Sequence, residues 1–139
     1  MAAMLRPFAC AAILALLGAC QQTEPVTARL TNSCGPLDES AFEILVPVKG
    51  GTVKLLGEGS AGSAQGRYEL ANEGLTPFRQ ILWCETQGTC HRAQSGYFEV
   101  TAQAGGGVTG RFEAAGVETG NYAAHFITGP AEPLRGFCG

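Results

Sequence analysis

Much of the usual equipment for chemistry is missing from this chain. Histidine occurs twice and tryptophan once, and aromatics make up 8% of the residues. The five serines, Ser33, Ser40, Ser60, Ser63 and Ser95, lie in no G-x-S-x-G elbow and no S-x-x-K pair, which excludes the hydrolase nucleophiles those motifs present. There is no C-x-x-C, so the usual redox dithiol and the C-x-x-C-H haem attachment site are absent. The glycine run Gly105–Gly107 opens no helix and carries no lysine, so it reads as a turn and not a phosphate loop. Charges are interspersed with no basic stripe, which excludes a nucleic-acid surface. No segment after Cys34 shows a 3.6-residue apolar stripe, so helices are not expected.

What is present begins at the N-terminus, "MAAMLRPFACAAILALLGACQQTEPVTA". Arg6 supplies a positive charge ahead of an apolar run from Phe8 to Leu17. That run has the length of a signal-peptide core and falls short of the about 20 residues needed to span a bilayer. Leu17-Gly18-Ala19-Cys20 follows. This order of charge, apolar run, small residues and cysteine resembles the signal and lipobox of bacterial lipoproteins. Gly18 departs from the commoner Ala or Ser. The resemblance implies cleavage before Cys20 and a diacylglycerol and palmitate-type acylation on that residue. Gln21 stands where an inner-membrane retention signal places Asp, which implies sorting to the outer membrane of a Gram-negative cell, facing the periplasm. Three acyl chains exceed the two lipid signals that stable anchoring requires.

The expected organisation is therefore a signal peptide over residues 1–19, a lipidated flexible tether over 20–28, and one β domain over 29–139. Without Arg6, eight Lys/Arg face twelve Asp/Glu, a net charge of −4.

Six cysteines are present. Cys10 leaves with the signal peptide and Cys20 takes lipid. Cys34, Cys84, Cys90 and Cys138 remain, an even number in an oxidising compartment, which points to two disulfides. Three pairings are possible. Local geometry favours Cys84 with Cys90 around "ETQGT", and Cys34 then pairs with Cys138. Competing uses of "CETQGTCHRA" are weaker. Five residues separate the cysteines where haem c needs two. Zinc would need Cys84, Cys90, His91 and a distant His125 to converge. No metal, haem or other cofactor is expected beyond the lipid on Cys20, and His91 reads as an exposed loop residue.

Strand patterns fill the rest. "AFEILVPV" puts Phe42, Ile44 and Val46 on one face and pairs with "TVKLL" across Gly50-Gly51. "GRYELA" and "RQILWC" follow, separated by "NEGLTP". "GYFEVTAQ" points Phe98, Val100 and Ala102 inward, and "VTGRFEA" does so with Val108, Gly110 and Phe112. "NYAAHFI" and "LRGFC" close the set. Strands every 10 to 13 residues or so with Gly-rich turns indicate an all-β fold, a small antiparallel barrel or sandwich. "EGSAGSAQG", residues 58–66, looks unstructured.

Candidate site residues are few. Trp83 is expected over the Cys84 disulfide in the core. His125 is expected partly buried on a strand. Tyr68, Tyr97 and Tyr122 could form an aromatic patch, Glu85 and Glu99 a carboxylate pair, and Ser95 a nucleophile beside His91. None makes a complete catalytic set, so no enzyme activity is inferred. The expected function is a non-catalytic, lipid-anchored envelope protein that binds an envelope protein or ligand. The alternative is an inhibitor of an envelope or host hydrolase, and the third reading, ranked below it, is a small hydrolase. In size, location and strand richness the chain is similar to the lysozyme-inhibitor lipoproteins, and "SGYFEV", Ser95 to Val100, resembles their serine-glycine-tyrosine segment without its downstream tryptophan.

Overall fold

The computed structural model describes residues 24–70, 78–116, 120–134, 136 and 138. Nine strands carry the described fold: β1 (Val26–Cys34), β2 (Ser40–Val48), β3 (Gly51–Glu58), β4 (Gly66–Glu69), β5 (Arg79–Glu85), β6 (Cys90–Arg92), β7 (Ser95–Ala102), β8 (Val108–Gly116) and β9 (Gly120–Thr128). They form one curled sheet, an open half-barrel, in the order β4-β7-β8-β9-β1-β2-β3-β5-β6. All-β architecture is as expected. The sheet is mixed, however, because β1 runs parallel to β9 over Val26–Ala28 against Phe126–Thr128. The purely antiparallel expectation is corrected here. The consecutive pairs β1–β2, β2–β3, β5–β6, β7–β8 and β8–β9 and the non-consecutive β3–β5 and β4–β7 are antiparallel, and β1–β9 is the parallel strand pair among the described residues.

β1 is the hinge of the half-barrel. Its first three residues join β9, and from Arg29 onward it pairs instead with β2, beginning Arg29↔Leu45. Two wings result, β4-β7-β8-β9 on one side and β2-β3-β5-β6 on the other. This corrects the expected tether boundary at residue 28. Val26, Ala28 and Leu30 alternate inward, with Ala28 and Leu30 buried, so the strand begins at Val26.

Period-two alternation explains the core. Phe42, Ile44 and Val46 are fully buried, as are Phe98, Phe112 and Phe126 from the opposite wing. Phe42 meets Tyr68 and Phe98 edge-on at 5.3 and 6.2 Å, and Tyr68 stacks on Phe98 at 4.8 Å. These rings lock β2 to β4 and β7 across the interior, a favourable geometry for aromatic quadrupoles. Gly110 makes room for a ring. A Cβ there would lie 2.6 Å from Phe126 Cζ and 2.1 Å from the Glu99 carbonyl oxygen. Ala102 lies on the same face as Phe98 and Val100, opposite Val108, but is exposed at the end of β7.

The β2–β3 hairpin turns at Lys49-Gly50, with Gly50 at φ 84°, a region glycine enters without strain. Residues 58–66 are ordered, against expectation. Ala61–Ser63 form a 3-10 turn, Ala61 and Ala64 are buried, and the Ala61 amide donates to Asn32 Oδ1 at 2.9 Å. Small side chains allow this loop to plug the core, a packing role that its composition conceals. The described residues of "LRGFC" form no strand. The chain is held just before them by a bridge from Glu132 to Thr31 and an Arg29–Glu132 ion pair at 2.7 Å. "NEGLTP" lies outside the described residues.

Both disulfides form as expected. Cys34–Cys138 ties β1 to the C-terminal segment, and Cys84–Cys90 crosses directly between β5 and β6. The described strands, both disulfides and the described core lie within Val26–Cys138, so this segment carries folding interactions of its own.

Candidate functional site

Alternation along β5 separates two residues that look adjacent in sequence. Cys84 points to the outer face and joins Cys90, while Trp83 points inward between the wings. Trp83 therefore does not cover the disulfide. Its indole stacks on Tyr122 of β9 at 5.8 Å and lies 5.6 Å from the ring of His91. Nε1 of Trp83 is buried with no hydrogen-bond partner among the described residues. His91 is part of β6, not a loop. It is half-buried on the inner face, with Nε2 3.1 Å from Glu85 Oε1. The expectation of an exposed loop histidine is corrected. The signal missed was β6 itself, a three-residue strand imposed by the disulfide beside it.

This aromatic cluster backs onto a groove at the seam of the wings. The β1–β9 ladder starts at Val26↔Phe126, and the β1–β2 ladder ends at Arg29↔Leu45. Beyond those points no strand among the described residues pairs with both β9 and β2. Pro47, which has no amide hydrogen to offer, sits on β2 just past the last rung, where proline is tolerated because the edge is free. The opening has a volume of about 500 Å³ and is lined by Val26, Val48, Tyr122 and Ala124, with Lys49 and Asn121 at its rim. The four lining side chains are partly buried and packed against the core. Lys49 and Asn121 are exposed. Among the described residues Lys49 makes no ion pair or side-chain hydrogen bond. The groove is thus apolar at depth and polar at the rim, with one cation.

The second arrangement is on the outer face of the β4-β7-β8-β9 wing. Register places Arg67, Glu99, Arg111 and His125 in one row across four strands. Glu99 accepts from Arg111 at 2.8 Å and from Arg67 at 2.9 Å, and Arg67 also pairs with Glu69. Hydrogen bonds from Arg111 and then Arg67 hold the Glu99 carboxyl below its usual range. Arg67 packs over the Tyr97 ring at 3.6 Å. A shallow trough of about 390 Å³ runs beside this row, past Thr101, Thr109 and His125. The arginines in the row are neutralised by their neighbours, which suits a solvated, sheet-bracing ladder.

Other expected pairings do not assemble. His125 is exposed on this outer face, not partly buried, because the even-numbered residues of β9 take the inside. Cys84 and Cys90 are bonded to each other and His125 is on the other wing, so no zinc set converges. Among the described residues no three His, Cys, Asp or Glu side chains group to hold a metal. Glu85 belongs with His91 and Glu99 with the arginines, on different wings. Tyr68 is buried, Tyr97 faces out and Tyr122 faces the seam, so the three tyrosines share no patch. Ser95 is exposed on β7 opposite Ala115, whereas the ring of His91 lies against Trp83. Ser95, Gly96 and Tyr97 lie within a strand and not on a protruding loop. No family model, curated protein or solved structure matches the chain.

Proposed function

We propose that this protein is a lipid-anchored envelope protein whose β domain faces the periplasm from the outer membrane and binds a ligand or partner without catalysing a reaction. The observation that carries this reading is the distribution of its cysteines. Four of the six are consumed in two disulfides within the domain, which suits an oxidising compartment. Cys20 is left in Leu17-Gly18-Ala19-Cys20, six positions ahead of Val26. A thiol there, behind an apolar run and small residues, is placed for acylation. The binding role rests on the seam groove, whose half-buried apolar walls keep part of their surface open and whose rim cation makes no ion pair among the described residues. The test is the intact mass of the protein purified from membranes. A chain beginning at Cys20 and carrying diacylglycerol plus one further acyl group is expected. A chain starting elsewhere without lipid would overturn the anchor.

The inhibitor reading has narrower support. Ser95 and Tyr97 line a shallow depression on the outer face of β7, yet a flat mid-strand position does not reach into an enzyme cleft.

A further inference from the structure

We propose that the seam groove binds the acyl chain of a single-chain anionic amphiphile, with the chain against Val26, Val48, Tyr122 and Ala124 and the head group at Lys49. The proposal deepens the binding role proposed above, and takes from the anchored reading only the source of lipid.

Polarity runs along the groove in one direction. The deep side chains are apolar and already packed against the core, so a hydrocarbon chain would extend the core and remove their remaining surface from water. The rim carries Lys49, Asn121 and the edge of β9 opposite its β8 ladder, where among the described residues the β1 pairing covers only Phe126–Thr128. Among the described residues Lys49 makes no ion pair, as Lys54 also makes none, while Arg29, Arg67, Arg79 and Arg111 are each paired with a glutamate. A carboxylate or phosphate at the rim would meet that lone cation and the amide groups beside it. A neutral alcohol or sugar head would not.

Position supplies the second argument. Val26 lines the groove and begins β1, and Cys20 precedes it by six residues. Six residues span at most about 20 Å. An anchored domain therefore holds the groove within that distance of the acylated residue, where amphiphile is concentrated.

The test uses the chain from Gln21, secreted behind an ordinary cleavable leader, since Val26–Cys138 carries its own folding interactions. Dodecanoate is titrated below its micelle threshold. Trp83, the only tryptophan, reports through its stack on Tyr122, and amide shifts map the site. Saturable binding with shifts at Val26, Val48, Lys49 and Ala124 is expected, and butanoate should not bind. Lys49→Glu should weaken dodecanoate about fivefold, the size of one exposed charge pair, with dodecyl maltoside unaffected or absent. Ala124→Phe should fill the groove and abolish binding. Asn121→Phe, at an exposed position, makes the same steric test where the first variant does not fold. Binding that is unsaturable, confined to micelles, equal for butanoate or unchanged by both filling variants overturns the proposal. Equal affinity for dodecyl maltoside overturns the head-group assignment. If the lipidated chain from membranes excludes dodecanoate while the Gln21 chain binds it, the occupant is the protein's own Cys20 acyl chain and the free-ligand proposal falls. The Gln21 chain lacks Cys20, so failure of the anchor cannot be mistaken for failure of the groove.

Discussion

Trp83 and Tyr122 stack with ring centroids 5.8 Å apart and planes 21° from parallel, and through that contact β5 of one wing touches β9 of the other. Tyr122→Ala should therefore do more than delete a ring. It removes an inter-wing contact and opens the wall behind the seam. A loss of about 2 to 4 kcal/mol is expected, since large-to-small changes at packed aromatics cost about 3 to 5 kcal/mol when fully buried and Tyr122 is half-buried. Urea unfolding checks the magnitude. A red shift of Trp83 emission checks the mechanism, and Tyr122→Phe should change neither much.

The two disulfides should contribute unequally. Cys34–Cys138 closes a separation of 104 residues and Cys84–Cys90 one of 6. In the chain-entropy account the first stabilises by about 4 to 5 kcal/mol and the second by about 2 to 3 kcal/mol. Paired Cys→Ser variants compared by denaturant midpoint test this order. Equal losses would mean that strain or residual denatured structure, and not loop length, sets the contributions.

Gly110→Ala should destabilise although it adds one methyl group. Its Cβ would press on the Glu99 carbonyl oxygen at 2.1 Å and on Phe126 Cζ at 2.6 Å. The backbone oxygen cannot move without breaking the β7–β8 ladder, and Phe126 is fully buried. Overpacking of this kind costs about 1 to 3 kcal/mol. The same change at Gly129, where a Cβ meets nothing within 4 Å, is the control and should be near neutral.

These cases show which parts of the fold were legible in sequence. Phe42, Ile44 and Val46, or Val108, Gly110 and Phe112, announce their buried face because a period of two needs only local reading. The disulfides were legible because counting and compartment constrain them. Ala61 and Ala64 were not, because a Gly/Ser/Ala loop carries no periodic pattern and its burial depends on Asn32, about 30 residues away. The parallel rung of Val26 on Phe126 joins the two ends of the domain and leaves no local signature. The seam groove exists because that rung and the Arg29↔Leu45 rung diverge. A site made by a topological gap cannot be read from residue types. His91 and His125 exchanged their expected environments for the same reason, since exposure followed strand register and neither neighbour list revealed it.

Glu99 should titrate below the ordinary carboxylate range. Bonds from Arg111 and then Arg67 favour its charged form in the folded state. A carboxyl with a depressed folded pKa stabilises the fold above its unfolded pKa, and that contribution is lost as pH falls through the folded value. The ladder should therefore weaken only in acid, below the ordinary carboxylate range. Carboxyl carbon shifts measured against pH check this. Arg111→Gln should move the Glu99 midpoint up, Arg67→Gln should move it up less, and added salt should shrink the depression because the groups are exposed.

Cys20→Ser tests the membrane attachment independently of everything the β domain does. Serine offers no thiol for the diacylglycerol, so incorporation of a labelled palmitate analogue should fall to background. The buried core cluster and both disulfides lie within Val26–Cys138, so the disulfides and the unfolding midpoint of the domain should be unchanged. The two readouts separate the possibilities. Label retained in the serine variant would place the acyl group elsewhere and remove the basis for the anchor. Label lost together with stability would mean that the acylated terminus packs on the fold, against the self-sufficiency of the Val26–Cys138 core. Label lost with stability intact is the expected outcome, in which the lipid sets where the groove is held and the disulfide-braced half-barrel sets what it can bind.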